Sequence, residues 1–197
     1  MSAHMEPQEI PETKDGKTPQ KKNSFWDTVR FVLISLVLVL GFRYFVAQPF
    51  IVSGDSMVPT FNNGEYLIVD ELSYRFEKPS RGDVIIMRYP LDPNKFFIKR
   101  IIGLPGETLN LEGEKIIVTT TEGASIVLDE PYVQNQRSDS ITVTLSDTQY
   151  YVLGDNRGAS SDSRRWGPLP AANIIGRPLL RLIPLSRMAW IPGQQDE

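Results

Sequence analysis

The sequence predicts a mostly β protein: a single N-terminal transmembrane helix followed by an antiparallel β-domain with a small β insertion. Three observations predict it. One long apolar run occupies residues 31–50. From residue 64 the hydrophobic pattern shortens to β-like segments separated by Gly, Pro and Asn/Asp signals. No second long amphipathic pattern follows the first run, which favours an all-β domain.

Composition narrows the chemistry. The chain has 197 residues, enough for a domain with a real core, and a net charge of -3. An acidic balance gives no reason to expect a nucleic-acid partner. There is no Cys, which removes disulfides and thiol chemistry, and one His, His4, in a polar tail. Zinc is therefore not expected. No loop has the spacing of an all-oxygen metal site, and no cofactor is expected.

Residues 1–24 are polar, rich in Pro, Glu, Lys and Gln, and read as a disordered cytoplasmic tail. Residues 25–49 read as the transmembrane helix. Residues 31–50 carry one charge, Arg43, and as a helix would measure about 30 Å, the thickness of a bilayer core. Trp26 and Tyr44 suit the membrane–water interfaces, Arg43 can snorkel, and Pro49 is a stop. A cleaved signal peptide fits less well, because Phe45 and Ala47 do not form a small-x-small cleavage site. A buried core helix is a third reading. Lys14, Lys17, Lys21, Lys22 and Arg30 precede the run, and no Lys or Arg occurs in the twenty residues after Phe50. This asymmetry places the N-terminus in the cytoplasm and residues 50–197 on the extracytoplasmic face of the plasma membrane.

Strands are expected at Tyr66–Asp70, Asp83–Tyr89, Phe96–Ile102, Thr108–Leu111, Lys115–Thr120, Ser125–Leu128, Ile141–Leu145, Gln149–Leu153 and Ile174–Ile183. Pro170–Asn173 reads as one helical turn. Residues 108–147, rich in Thr, Val, Ile and Glu, read as a hairpin-rich insertion outside the main core. Arg81-Gly82-Asp83 could serve adhesion, but a turn feeding the next strand accounts for it better.

Two stretches carry chemistry. In Ser53-Gly54-Asp55-Ser56-Met57-Val58-Pro59-Thr60, Gly54 and Pro59 can hold Ser56 on a tight turn. A serine fixed this way is a candidate nucleophile, though from these eight residues alone an ordinary polar turn is the plainer reading. With His4 in the tail, any base for Ser56 would be a lysine. Lys99 lies in the apolar run Phe96–Ile102 beside Arg100. On a strand, Phe97, Lys99 and Ile101 share one face and Ile98, Arg100 and Ile102 the other, so one of the two charges faces inward. A buried ammonium loses hydration and its pKa falls, as a lysine base requires. A charge emerging at a strand edge is the alternative. A third stretch, Gly154–Gly167, is a polar loop in which Asp155, Asp162, Arg157 and Arg164 can pair. Such a loop suits the positioning of active groups.

These stretches resemble the bacterial type I signal peptidases. The motifs around Ser56, Arg81-Gly82-Asp83-Val84, Phe97–Glu107 and Gly154–Arg164 occur in that family's order, after an apolar anchor. The resemblance runs from about residue 25 to 185. It implies Ser56 as nucleophile, Lys99 as general base, Ser160 as the hydroxyl that orients the lysine, and Asp162 with Arg164 as a structural pair. It implies a coiled β-barrel like that of signal peptidases and SOS repressors, seated on a lipid bilayer. It implies a preprotein substrate whose signal peptide has small residues at −1 and −3, added as a strand and held by Val52, Met57, Phe97 and Ile98. One departure stands out: Gly54 replaces a serine that many members use to bind the oxyanion, which leaves the Ser56 N–H as the donor. Self-cleaving repressors share the Ser/Lys chemistry but need a DNA-binding head and no membrane span. A non-catalytic tethered β-domain gives no reason for Lys99 in an apolar strand.

Overall fold

The computed structural model describes residues 24–45 and 47–194. The tail expected at 1–24 lies almost wholly outside them. By its internal contacts the chain divides into two units, Met1–Val39 and Leu40–Glu197.

The first element is helix α1, Ser24–Phe45. Its side chains Phe31, Val32, Leu33, Ile34, Leu36, Val37, Leu38 and Val39 are exposed, between 50% and 71%. Among the described residues, no helix is long and apolar enough to cross a membrane. The helix also ends earlier than the expected residue 49. Ala47–Ile51 forms strand β1 instead. Pro49 restricts Gln48 to extended backbone, and β1 pairs with β2, Tyr66–Asp70, placing Pro49 opposite Ile68.

The β unit is built from antiparallel strands. Those of the main sheet are β1, β2, β3 (Val84–Tyr89), β4 (Asp92–Gly103), β9 (Gln149–Leu153), β10 (Leu169–Pro170), β11 (Ile174–Ile183) and β12 (Ala189–Trp190). They lie in the order β1-β2-β11-β3-β4-β9-β10, with β12 on β11. A second sheet has the order β7-β6-β5-β8, from β5 (Thr108–Gly113), β6 (Lys115–Thr119), β7 (Ser125–Val127) and β8 (Asp139–Thr144). Its core is not separate. Leu109, Leu111, Ile116 and Val118 pack with Ile102, Tyr151 and Leu153 of the main sheet. The expected turn forms at Ala171–Asn173 as a 3-10 helix.

Strand β3 from Val84 to Met87 and β4 from Ile98 to Gly103 are covered on both faces. Val84, Ile86 and Ile98 belong to one core with Val52, Met57 and Phe61. Ile85, Met87 and Ile101 belong to another with Tyr150, Val152 and Leu169. Each fully buried side chain of this size contributes about 1.5–3 kcal/mol. Two-sided burial corrects the expectation that only one of Lys99 and Arg100 faces inward: they are 3% and 1% exposed.

Arg81-Gly82-Asp83 is committed internally. Arg81 donates to the Ile102 carbonyl at 2.6 Å and pairs with Glu107. Asp83 accepts from Tyr74 Oη and from the Ser80 N–H, both at 2.9 Å.

Candidate active site

Ser56 sits on the turn between β1 and β2. Gly54 has φ +89, a backbone conformation that L side chains rarely adopt. Its N–H donates to Asn63 Oδ1 at 3.0 Å. Met57, 1% exposed, anchors the turn in the core, and the Phe61 N–H donates to the Met57 carbonyl at 2.8 Å.

The register of β3 and β4 sets Lys99 opposite Ile85. Lys99 Nζ lies 2.8 Å from Ser56 Oγ and donates to the Ile98 carbonyl at 2.7 Å. It also sits 5.3 Å from the centre of the Phe97 ring. Burial pushes the Lys99 pKa down to about 8, against the opposing pull of Asp162 and Asp155. A lysine so held exchanges protons near neutral pH.

The Gly154–Gly167 loop packs behind this pair. Asp162 caps the short helix α2, Ser163–Trp166, by accepting from the Arg164 N–H at 3.3 Å. Arg164 donates to both Asp162 carboxylate oxygens at 2.8 Å. Burial would raise the Asp162 pKa. The Arg164 guanidinium, the Ser160 hydroxyl and the Gly154 N–H outweigh it and hold the carboxyl below its usual range. The other two charges do not pair within the loop as expected. Asp155 accepts from Arg100 Nε at 2.9 Å and Nη2 at 2.7 Å, and Arg157 pairs with Glu130 at 2.6 Å. Both charges find partners outside the loop because β4 and the segment before β8 pack against it.

Ser160 is 2% exposed; its Oγ lies near enough to the Asp162 carboxylate to stabilise its charge, but meets no partner in full hydrogen-bond geometry. The expected Ser160–Lys99 hydrogen bond is not formed. Ser160 and the Ser56 main chain nevertheless both sit against Gly154, where an added Cβ would overlap Ser160 Oγ and the Ser56 carbonyl oxygen.

A cleft of about 270 Å³ opens beside Ser56 and Lys99. Of the expected pocket residues, Val52, Phe97 and Ile98 line it. Met57 does not, because its side chain is spent on the core beneath the turn. Phe50, Ile86, Phe96 and Ala159 also line it and were not foreseen. Among the described residues the Ser56 N–H has no acceptor, so it is free to meet a developing oxyanion.

Sequence reasoning missed Asn156. Its N–H donates to the Ser56 carbonyl and its Nδ2 to the Asp55 carbonyl, each at 3.0 Å. Its place inside the polar loop was the only signal. The loop's partner on the Ser56 side is 100 residues earlier in the chain, and no local pattern reveals it. Among the described residues, no group of His, Cys, Asp or Glu could hold a metal ion.

A serine hydroxyl held against a buried, depressed-pKa lysine at the edge of an apolar cleft is an arrangement that can activate the hydroxyl without a histidine. The family model described as "Signal peptidase, peptidase S26" matches residues 25–183. The chain belongs to that family. It is 35% identical over 191 residues to a signal peptidase I of Leptolyngbya laminosa, covering 92% of this chain and 91% of that one. It is 37% identical over 169 residues to a probable signal peptidase I-1 of Synechocystis sp., covering 82% of this chain and 84% of the relative. The crystal structure of a signal peptidase I from Enterococcus faecalis V583 matches 51% of this chain and 97% of its own, at TM-score 0.43 and 31% identity.

Proposed function

We propose that this protein is a membrane-anchored serine endopeptidase that removes signal peptides from exported preproteins, with Ser56 as nucleophile and Lys99 as general base. One observation carries the reading: the 2.8 Å approach of Lys99 Nζ to Ser56 Oγ in a site that lowers the lysine pKa to about 8.

Neutral Lys99 takes the Ser56 Oγ proton as the oxygen attacks the scissile carbonyl. The negative charge that develops on the carbonyl oxygen meets the Ser56 N–H. Protonated Lys99 then gives its proton to the leaving amine. An acyl-enzyme remains on Ser56, and Lys99 activates the water that releases it. Asp162 and Arg164 hold the loop behind the lysine, and Ser160 serves to orient Nζ in the substrate complex. The substrate chain enters as a strand beside residues 50–54, along the edge of the main sheet that β1 leaves unpaired. Val52, Phe97 and Ile98 crowd the cleft and favour small side chains at −1 and −3.

Helix α1 serves as a single-pass anchor. Its exposed apolar side chains, Phe31 through Val39, suit lipid contact, and the run continues beyond them in the sequence. The lysines before it keep the N-terminus cytoplasmic and the β unit on the extracytoplasmic face. The test is direct. Detergent-solubilised protein is incubated with a preprotein, and the N-terminus of the product is sequenced, with Ser56→Ala in parallel. Cleavage after a small-x-small site by the wild type alone is the expected result. No cleavage, or cleavage retained in Ser56→Ala, overturns the reading.

A further inference from the structure

The segment between β7 and β8 belongs to the second sheet, yet it bonds repeatedly to the loop behind Ser56. Glu130 pairs with Arg157 at 2.6 Å, both side chains being buried. The Tyr132 ring lies under the Arg100 guanidinium at 3.9 Å. The Gln134 N–H donates to the Asp155 carbonyl at 2.9 Å, and the Arg157 N–H donates to the Gln134 carbonyl at 3.0 Å. Asn135 Nδ2 donates to Asn156 Oδ1 at 2.9 Å. Asp139, at the start of β8, accepts from Arg164 at 2.9 Å.

One of these contacts continues to the nucleophile. Asn156 Oδ1 is fixed by Asn135, so the amide is oriented with Nδ2 toward the Asp55 carbonyl. The Asn156 N–H holds the Ser56 carbonyl. The two carbonyls flanking the Ser56 N–H are thereby fixed, and with them the direction of that N–H and of Oγ. Asn135 has φ +48, a left-handed conformation that Asn tolerates better than most residues. Its backbone is thus shaped to present the amide to the loop.

We propose that residues 130–139 form a positioning strap for the nucleophile, in which Asn135 orients Asn156 and Asn156 fixes the Asp55–Ser56 main chain. The proposal rests on the peptidase reading above. The strap is a positioning element and touches no reacting atom.

The experiment measures kcat and KM of the full chain in detergent on a signal-peptide substrate, for wild type, Asn135→Gly, Asn156→Ala and the double variant. Glycine at 135 accepts the left-handed backbone without strain and removes the amide together with its Cβ. Misplacing a reacting group costs rate rather than ground-state binding. Asn156→Ala is expected to lower kcat about tenfold and Asn135→Gly about threefold, the range of one lost hydrogen bond, with KM held within about twofold. The double variant should match Asn156→Ala, because Asn135 acts through it. The rising limb of the pH profile should not move, since neither amide titrates. Should Asn156→Ala fail to fold, Asn156→Asp keeps the backbone N–H and nearly the volume but turns the donor to Asp55 into a negatively charged acceptor, and should lower kcat at least as far. Wild type that leaves the substrate uncut overturns the peptidase reading. Wild type that cuts it, with variants of lower melting temperature but unchanged kcat, overturns the strap alone, as does a double variant whose losses multiply.

Discussion

Lys99 and Arg100 are adjacent, both are buried, and only Arg100 is neutralised by a carboxylate. Arg100 makes two hydrogen bonds to Asp155, at 2.9 and 2.7 Å. Lys99 bonds to neutral oxygens alone, Ser56 Oγ and the Ile98 carbonyl, among the described residues. A buried cation without a paired anion is costly, and it relieves the cost by giving up its proton. The same strand therefore holds one permanent, paired charge and one labile charge beside Ser56.

Ser56 and Lys99 should behave as one unit. Ser56→Ala and Lys99→Ala are each expected to abolish cleavage, and the double variant should be no worse than either single one. Single-turnover rates on a signal-peptide substrate check this. Appreciable activity in either single variant contradicts it.

The buried lysine also sets a stability cost. Its pKa falls from 10.5 unfolded to about 8 folded, so below pH 8 the folded state holds a proton it would rather lose. The cost is full below about pH 8, shrinks between 8 and 10.5, and vanishes above that; its size is on the order of 3 kcal/mol. Lys99→Met should therefore gain stability relative to wild type at pH 6.5 and lose that advantage by pH 10.5. Urea melts at the two pH values measure the difference. An advantage that grows with pH would contradict the assignment.

Gly154 should not tolerate a side chain. A Cβ there meets Ser160 Oγ, the Ser56 carbonyl and, at 2.6 Å, Ser160 Cβ. Relieving such contacts costs about 1–3 kcal/mol and displaces the nucleophile turn. Gly154→Ala should lower both melting temperature and kcat, whereas Gly113→Ala, with open space around it but φ +63, should affect stability alone.

Much of this architecture was legible in the sequence. The limits of Tyr66–Asp70, Gln149–Leu153 and Ile174–Ile183 agree with the structure, because Gly, Pro and Asn/Asp signals bound each one. The Asp162–Arg164 pair was legible because it is local. Strand β1 was hidden, since the five residues Ala47–Ile51 follow directly on the apolar run and, with Gln48 and Pro49 among them, show no strand alternation. Met57 was assigned to the cleft because alternation along a turn carries no inside and outside. Arg100 was ambiguous because a strand covered on both faces shows no alternation to read. The Asp155–Arg100 and Asn135–Asn156 contacts join residues 55 and 21 apart, and no local pattern encodes them.

Topology has its own test. Protease added outside intact spheroplasts should digest the β unit and spare the N-terminal tail. The reverse pattern would show that the Lys/Arg asymmetry does not set the orientation.

The most direct measurement of the central claim is the pH dependence of kcat/KM on a signal-peptide substrate, for wild type and Lys99→Arg. Only neutral Lys99 can accept the Ser56 proton, so the wild-type rate should rise with pH through a limb near 8. Lys99→Arg, which cannot deprotonate in this range, should be inactive throughout. A rising limb between about pH 4 and 5, the carboxylate range, or a Lys99→Arg protein with the wild-type profile, would contradict a lysine base.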